Sequence, residues 1–506
     1  MSAWSRRSSA ARGQATVLAL AALLGCSPEP TNDDHATLRV VLPREVADLD
    51  PRFVTDPYGL KVSRLIFASL VTLDPTTLEV VPDLAESLQR LPDEEGRPVY
   101  EATLRSNLRF SDGSVLDARD VVATFDALRS PELGSVFSRN YARIVEVVAE
   151  DALHVRFVLD APHATFPTDL EIPIVRAEDA SRRLAWRDEP PVGAGPYVLQ
   201  RGSDGTHLVL HANPRWHRGA PTHARLRFDV VRDDNTRALR LLGGKADLAL
   251  NAIPPILVPL FESDPRFEVR TSLGVGTTYL GFHTERVPLE VRRAIALAVD
   301  RRALVDAKLG GHATVTESWI PRAHWAATPL PERAFDPAAA RASVSDDVRP
   351  LVLRVSSDRF RVSVARAIAA MLSDVGLRVD VRPSEPGTLI EDLNEGRFDL
   401  CLLQVPEVIE PHVLSWFFGS DRVPGEGLGG ANRWRLRDAE LDAALEAGRV
   451  ARDTSERLAA YETAQRRLYE TLPVLPLWQE ENLAVVRRGL AFEVPRDGRF
   501  GRLAHP

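Results

Sequence analysis

Two carboxylates, Glu407 and Glu410, follow an apolar segment of the chain and are the side chains best placed to bind a ligand or take part in catalysis. Residues 398–404 are mostly apolar without a helical stripe, as expected of a strand buried on both faces, and Pro406 ends this segment. Two acids three residues apart could form an acid/base pair, or one could bind a cationic ligand group. Because ligands collect beyond the carboxyl ends of strands in open α/β sheets, Glu407 is the leading candidate. A solvated acidic loop is the alternative.

Signatures of catalysis are absent from the sequence, which holds neither a Gly-x-Ser-x-Gly elbow nor a His-Glu-x-x-His helix. Glycines at 425, 427 and 430 imitate a dinucleotide loop, but they follow a proline rather than a strand, which indicates a flexible loop. Four histidines lack helical ligand spacing and are interpreted as scattered surface residues: His207, His211, His217 and His223. The sequence therefore favours a binding protein without catalytic residues, cofactor or metal.

The elements that position Glu407 alternate between strand and helix. Strands are predicted at 351–355, 377–381 and 398–404, with helices at 362–375 and 387–395 between them. Short connections in this order predict a doubly wound α/β unit that brings Glu407 to the rim of its sheet.

Other segments have patterns of their own. The sequence predicts a strand at 37–42, helices at 60–73 and 291–308, and a helix that Asp117 caps and that continues through Leu128. A proline pair at 190–191 suggests a domain boundary.

Length and charge restrict the class of protein. A chain of 506 residues is too long for one core, so two or three domains are expected. Its net charge of −8 argues against nucleic acid as a partner, since phosphates select basic surfaces. The chain has two cysteines, too few for a disulfide framework or a cysteine-rich metal site, and Cys401 is expected to be a buried core residue.

The N-terminal segment is typical of an export signal. Arginines at 6, 7 and 12 precede a short apolar run, and residues 23–26 (Leu-Leu-Gly-Cys) resemble the lipobox of bacterial lipoproteins. The resemblance implies cleavage after residue 25 and lipidation of Cys26, with residues 26–36 as a flexible tether. An ordinary signal peptide with a chance cysteine is the alternative.

A set of ordered motifs covers most of the remaining chain: Phe-Ser-Asp-Gly with Ala-Arg-Asp-Val at 110–121, Pro-Val-Gly-Ala-Gly-Pro-Tyr at 191–197, Asn-Pro-Arg-Trp at 213–216, Val-Arg-Arg-Ala-Ile at 291–295 and Gly-Arg-Phe-Asp at 396–399. In this order they resemble the solute-binding proteins of ABC transporters in the dipeptide/oligopeptide/nickel family, family 5. The resemblance extends over nearly all of residues 37 to 506.

The resemblance implies an α/β, bilobal periplasmic-binding-protein fold, class II-like and of cluster C, with an extra inserted domain. Domain I would comprise residues 37–72, 191–273 and 488–506. Domain II, the insert, would be residues 73–190, and domain III residues 274–487. Ligand would be trapped between domains I and III by hinge closure.

The resemblance also implies a ligand site. In peptide-binding members an aspartate four residues before the proline of an Asp/Glu-Pro pair holds the ligand's α-ammonium, and Glu407 has that place here. Gln404 stands where tryptophan is frequent, and His283 stands where asparagine is usual, so both positions depart from the family's pattern. Glu410 and Trp416 complete the candidate set.

The predicted protein is an exported, lipid-anchored solute receptor of the periplasm or cell envelope. It would capture a peptide or amine-bearing solute as a monomer and deliver it to an ABC permease, without being an enzyme. Receptors for a nickel chelate or an oligosaccharide remain open, as does an exported hydrolase using Glu407 and Glu410.

Overall fold

One large sheet forms the framework of the structure. The computed structural model describes residues 37–345, 348–405, 407–427 and 429–505. The strands in these residues are β1 (Thr37–Leu42), β2 (Val71–Leu73), β3 (Val80–Pro82), β4 (Ala85–Glu94), β5 (Arg97–Leu104), β6 (Ile144–Ala149), β7 (His154–Leu159), β8 (Tyr197–Leu199), β9 (His207–Ala212), β10 (Arg225–Val230), β11 (Leu248–Leu250), β12 (Phe267–Phe282), β13 (Ala313–Val315), β14 (Leu351–Ser356), β15 (Val379–Ser384), β16 (Leu400–Val405) and β17 (Val474–Arg487).

Helices pack on both faces of this sheet and on the smaller sheets. Their bounds are α1 (Pro57–Ile66), α2 (Ala118–Arg129), α3 (Phe166–Asp169), α4 (Asp234–Leu242), α5 (Pro259–Glu262), α6 (Leu289–Ala298), α7 (Arg301–Leu309), α8 (Pro337–Ser343), α9 (Arg359–Asp374), α10 (Pro386–Asn394), α11 (Val413–Phe418), α12 (Ala439–Val450) and α13 (Thr454–Thr471). Among the described residues, no helix is both long and apolar enough to cross a membrane.

The large sheet has the order β15-β14-β16-β12-β17-β11-β1-β10-β9-β8, and β13 also pairs with β17. β12 and β17 are its longest strands and pair with each other in antiparallel fashion. At one end they adjoin β11, and at the other end they adjoin β16 and β13. The sheet is thereby divided into a first lobe around β1 and a second lobe around β14, which confirms the predicted two-lobed α/β fold.

The passage between the lobes lies at an irregularity in the β12–β17 ladder. The register shifts between Leu273 and Thr277, a β-bulge in which the intervening residues leave the regular pairing. Gly274 lies here so close to β17 that an added Cβ would come within 2.2 Å of the Glu480 carbonyl oxygen. A residue with a side chain would therefore push the two crossing strands apart.

The doubly wound unit predicted in the second lobe is confirmed. β14 pairs in parallel with β15 on one side and with β16 on the other, and α9 and α10 connect them. Asp358 caps α9 by accepting from the amide of Arg361, and Gly376 turns the chain after the helix with a φ of +94°. This arrangement fixes the carboxyl end of β16, which leads to Glu407.

Separate apolar cores support the lobes. The first lobe is packed around residues such as Leu42, Phe228 and Val486, and the second around residues such as Leu353, Ile368 and Trp478. A third core, with Phe125 and Phe157, lies in the insert, whose antiparallel sheet has the order β4-β5-β7-β6. The predicted domain boundaries stay a prediction, but residues 483–486, predicted for domain III, pack in the first lobe because β17 crosses between the lobes.

Two predicted helices differ from the observed ones. The helix expected at 60–73 is α1, which begins after its cap Asp56 and ends at Ile66, because the chain becomes extended at Phe67 and then forms β2. The helix expected at 291–308 is broken into α6 and α7, since Val299 is extended and Asp300 caps a new helix. The helix predicted after Asp117 is confirmed, with a reciprocal capping box to Asp120.

Candidate functional site

Glu407 lies where the two lobes meet. It follows β16 by two positions, and the amide of its neighbour Val408 donates to the carbonyl of Val275 in the bulge of β12, at 2.9 Å. Arg499, from the chain that follows β17 into the first lobe, donates from Nε and Nη2 to Glu407 Oε1 at 3.3 and 3.2 Å. An ion pair therefore joins the two lobes.

Arg499 also binds the insert, so that three parts of the molecule meet at one guanidinium. Its Nη2 donates to Glu171 Oε2 at 3.2 Å, and its Nη1 contacts the other oxygen of that carboxylate. Asp497 Oδ2 lies 3.6 Å from Nε, and Arg64 Nη2 lies 3.4 Å from Glu171 Oε2. With 9% of its side chain exposed, Arg499 is the centre of what we call the interlobe cluster: Lys61, Arg64, Glu171, Glu407, Asp497 and Arg499.

Lys61 contributes the third cation of the interlobe cluster, from α1 of the first lobe. Its Nζ lies 5.5 Å from the centre of the Tyr58 ring and 5.9 Å from that of Phe500, so that the ammonium is close to two aromatic faces. Burial lowers the pKa of Lys61 to about 8, although the nearby carboxylates of Glu407 and Asp497 act in the opposite direction.

The cations of the interlobe cluster keep Glu407 ionised. Burial alone would raise the pKa of this carboxyl, but the positive charges of Arg499, Arg64 and Lys61 prevail and hold it below its usual value. Solvent still reaches 35% of the side chain. Both contacts with Arg499 are made by Oε1, and within the described part of the chain Oε2 accepts no hydrogen bond. This second oxygen can accept from a ligand donor.

Glu410 lies in a different environment, at the contact between the second lobe and the insert. It pairs with Arg457 of α13, accepts from the His412 amide at 3.1 Å, and accepts from Thr168 Oγ1 of the insert at 3.3 Å. Burial raises the pKa of Glu410 despite the charge of Arg457. The two carboxylates thus have separate partners, and the structure does not bring them together as an acid/base pair.

Gln404 and His283 lie at opposite ends of the same strand pair. Gln404, near the carboxyl end of β16, accepts from Arg361 Nη2 at 2.6 Å. His283 directly follows the carboxyl end of β12, beside the start of β16. Its ring centre lies 5.4 Å from that of Phe398, and burial lowers its pKa. Because β12 and β16 are antiparallel, His283 is separated from Glu407 by the length of β16.

The remaining candidates do not join the interlobe cluster. Trp416, on the short helix α11, is 44% exposed and has no contact with the interlobe cluster among the described residues. Cys401 is buried in the core of the second lobe, where burial raises its pKa to about 12, in agreement with its predicted structural role. Cys26, the predicted lipidation site, lies outside the described residues. No local motif marks the other members of the interlobe cluster, so the sequence alone did not predict them: Lys61, Arg64, Glu171, Asp497 and Arg499.

A cavity of about 640 Å³ lies elsewhere in the second lobe, between α7, β13 and the segment that follows, and no interlobe-cluster residue lines it. Two of its three acidic side chains are already paired: Glu317 with Arg301 and Arg333, and Glu332 with Arg302. In the residues that the structure describes, no group of three or more histidine, cysteine or acidic side chains could hold a metal ion. The interlobe cluster is therefore the stronger candidate site.

Comparisons with known proteins agree with this fold. The chain is 27% identical to di/tripeptide-binding protein 2 of Pseudomonas aeruginosa over 93% of its length and 94% of that protein. Among solved structures it resembles NikA from Brucella suis in complex with Fe(III)-EDTA (25% identity, TM-score 0.81, 92% of this chain and 99% of that one). It also resembles the oligopeptide-binding protein AppA of Bacillus subtilis in complex with a nonapeptide (20% identity, TM-score 0.75, 92% and 98%).

These structural likenesses confirm the predicted periplasmic-binding-protein fold. Residues 79–423 match the family model described as bacterial extracellular solute-binding proteins, family 5 middle. Since the match spans more than half of the chain, the protein belongs to the family 5 bacterial extracellular solute-binding proteins.

Proposed function

We propose that the protein is the receptor of an ABC importer and captures a peptide or another amine-bearing solute between its two lobes. The observation that carries this proposal is the position of Glu407, a carboxylate in the cleft whose Oε2 has no hydrogen-bond partner in the described residues. A ligand ammonium donating to this oxygen would form a charge-assisted hydrogen bond. The resemblance to a di/tripeptide-binding protein over nearly the whole chain supports the peptide class.

Closure of the lobes would strengthen such a contact. When the cleft excludes water, the attraction between the ligand ammonium and Glu407 is less screened than in bulk solvent. Arg499 contributes by holding Oε1 in place, so that less side-chain freedom is lost when the ligand binds. The low pKa of Glu407 keeps the carboxylate charged throughout the neutral range.

The other functions considered have weaker support. A hydrolase would need its two carboxylates to face one bond, but Glu407 pairs with Arg499 whereas Glu410 pairs with Arg457. The family consists of binding proteins rather than enzymes. A receptor for a metal chelate is suggested only by likenesses such as that to NikA. No contact at the interlobe cluster, within the described residues, points to an oligosaccharide.

Export and anchoring complete the proposal. The mature protein would begin at Cys26, carry lipid on its thiol and act as a monomer outside the cytoplasm, close to its permease. Mass spectrometry of the mature N-terminus tests the anchor, because cleavage elsewhere or an unmodified Cys26 would remove it.

The ligand class is tested by calorimetry with a pool of dipeptides and the same pool N-acetylated. The wild type should bind the free-amine pool and lose most of its affinity for the acetylated one. Glu407→Gln should weaken binding of the free-amine pool by about 2 kcal/mol, roughly 30-fold, since the side chain is partly exposed. Equal affinity of Glu407→Gln and the wild type for this pool would contradict the role of Glu407.

A further inference from the structure

Lys61 is a cation of the interlobe cluster that has no carboxylate partner among the described residues. The other five members of the interlobe cluster form ion pairs with one another. Within the described ranges, no carboxylate oxygen comes within 4 Å of Lys61 Nζ and no acceptor binds it; its near neighbours are the rings of Tyr58 and Phe500. A partly buried ammonium without a hydrogen-bond acceptor is costly, and an anionic group entering the cleft would relieve that cost.

The position of Lys61 on α1 places it opposite Glu407. The residues of α1 that pack into the first lobe include Val62, Leu65 and Ile66, whereas Lys61 and Arg64 lie three residues apart on the side of the interlobe cluster. Arg64 is engaged by Glu171 of the insert. Of the three cations of the interlobe cluster, Lys61 is therefore the one that has no ion-pair partner among the described residues.

The choice of lysine at this position stands out in the composition. The sequence contains three lysines, Lys61, Lys245 and Lys308, beside 60 arginines. A guanidinium is a wide, planar donor suited to pairing with two oxygens, as Arg499 does with Glu171, whereas an ammonium is a compact point charge with three donors. A compact donor fits the space between two aromatic rings and a small ligand.

The charge balance of the interlobe cluster indicates what kind of ligand fits. Three cations face three carboxylates: Lys61, Arg64 and Arg499 against Glu171, Glu407 and Asp497. A ligand carrying one positive and one negative group would leave this balance unchanged, with its ammonium at Glu407 and its anion at Lys61. A ligand with only an amine would add a net positive charge to the interlobe cluster, which is unfavourable when closure of the lobes excludes water.

We propose that Lys61 binds the free carboxylate of the ligand, so that the receptor selects zwitterionic ligands: short peptides or amino acids with an unblocked C-terminus. This inference rests on the proposed function, in which Glu407 binds the ligand ammonium, and adds the second charged contact. The lowered pKa of the Lys61 amine, about 8, leaves most of it protonated at neutral pH and makes it more reactive than an ordinary lysine.

The inference is tested with the dipeptide pool and the same pool amidated at its C-termini. The wild type should bind the free acids 10- to 100-fold more tightly than the amides, the size of one charge-assisted contact. Lys61→Met should bind both pools equally, at the level of the amides. Lys308→Met, a substitution in α7 of the second lobe, should behave as the wild type.

A second measurement needs no variant. Reductive methylation of the wild type should modify Lys61 readily, and the free-acid pool should protect this lysine at least fivefold relative to Lys245 and Lys308, since the peptide amines consume reagent equally for all three. The amidated pool at equal concentration should give no such protection.

The outcomes separate the two levels of the proposal. If neither pool binds the wild type, the proposed peptide receptor is itself wrong. If peptides bind but free acids have no advantage, if Lys61→Met keeps the advantage, or if the free acids leave Lys61 unprotected, the role of Lys61 is overturned while the peptide receptor stands.

Discussion

Glu407 and Glu410 are three residues apart in sequence and serve two different contacts. Glu407 pairs with Arg499 of the first lobe through Oε1, its Oε2 accepts no hydrogen bond among the described residues, and 35% of its side chain is exposed. Glu410 is shared between Arg457 of its own lobe and Thr168 of the insert, with 20% of its side chain exposed. The first contact joins the two lobes, whereas the second joins the insert to the second lobe.

The direction of the pKa shift reflects this difference. Both carboxyls are removed from water, which raises the pKa of each. Around Glu407 three cations outweigh this effect, whereas around Glu410 one arginine does not. An ionised carboxylate is what a cationic ligand needs, and a carboxyl that tends to keep its proton is better suited to a structural contact. Adjacent acids can therefore be told apart by the number of cations around them.

The largest effect is expected at Arg499, the centre of the interlobe cluster. Arg499→Met should lower the free energy of unfolding by about 3 kcal/mol, because it leaves the carboxylates of Glu171, Glu407 and Asp497 without their shared partner. Urea denaturation followed by circular dichroism measures this. Arg502→Met, in the same segment but with an exposed acidic partner, Glu493, should change stability by less than about 0.5 kcal/mol. Equal losses of unfolding free energy in the two variants would show that the interlobe cluster stabilises the protein no more than an exposed ion pair does.

An intermediate effect is expected at the insert contact. Arg457→Met should lower the free energy of unfolding by about 1–2 kcal/mol, less than Arg499→Met, because the abandoned Glu410 can take up a proton. Affinity for the dipeptide pool should stay within about twofold of the wild type, since this pair lies outside the proposed ligand site. A loss of affinity as large as that of Glu407→Gln would show that the Glu410–Arg457 pair belongs to the ligand site and would contradict its purely structural role.

The smallest effect concerns pH. The pKa of Glu407 is lowered, so its contribution to stability is present above the ordinary value of 4.5 and is lost as pH falls through the folded-state pKa. The pKa of Glu410 is raised, so its contribution is present below 4.5 and is lost as pH rises through the folded-state pKa.

Urea midpoints of the wild type, Glu407→Gln and Glu410→Gln between pH 3.5 and 7 compare the two carboxyls. The stability advantage of the wild type over Glu407→Gln should shrink toward acid pH, and that over Glu410→Gln should shrink toward neutral pH. Slopes of the same sign would contradict the assigned environments.

The sequence predicted local structure where the pattern was local. The alternating strands and helices from 351 to 405 placed Glu407 beyond a strand end correctly, because each element carries its own apolar periodicity and caps. The break between α6 and α7 was missed because the apolar stripe continues through Val299, whose extended conformation depends on the surrounding lobe.

The partners of Glu407 could not be predicted from sequence. Arg499 is 92 residues from Glu407 and 328 from Glu171, and only the passage of the chain between lobes brings them together. β12 and β17, which make that passage, were not recognised as long strands. Pro476 within β17 argues against a strand, but the structure accommodates it at a register shift opposite Tyr279. Contacts between residues so far apart in the chain produce no regular spacing in the local sequence from which they could be predicted.

The paired strands β12 and β17 determine what kind of motion can admit a solute. Sliding one strand past the other by a single residue would turn every side chain to the wrong face and break all the rungs of the ladder, so translation of the lobes is blocked. Twisting the strand pair costs far less, because paired β-strands are already twisted and the regular pairing is interrupted at the bulge near Gly274. The lobes should therefore open by rotating about the β12–β17 pair. Lys61 would then move with the first lobe and Glu407 with the second, and the distance between them would increase.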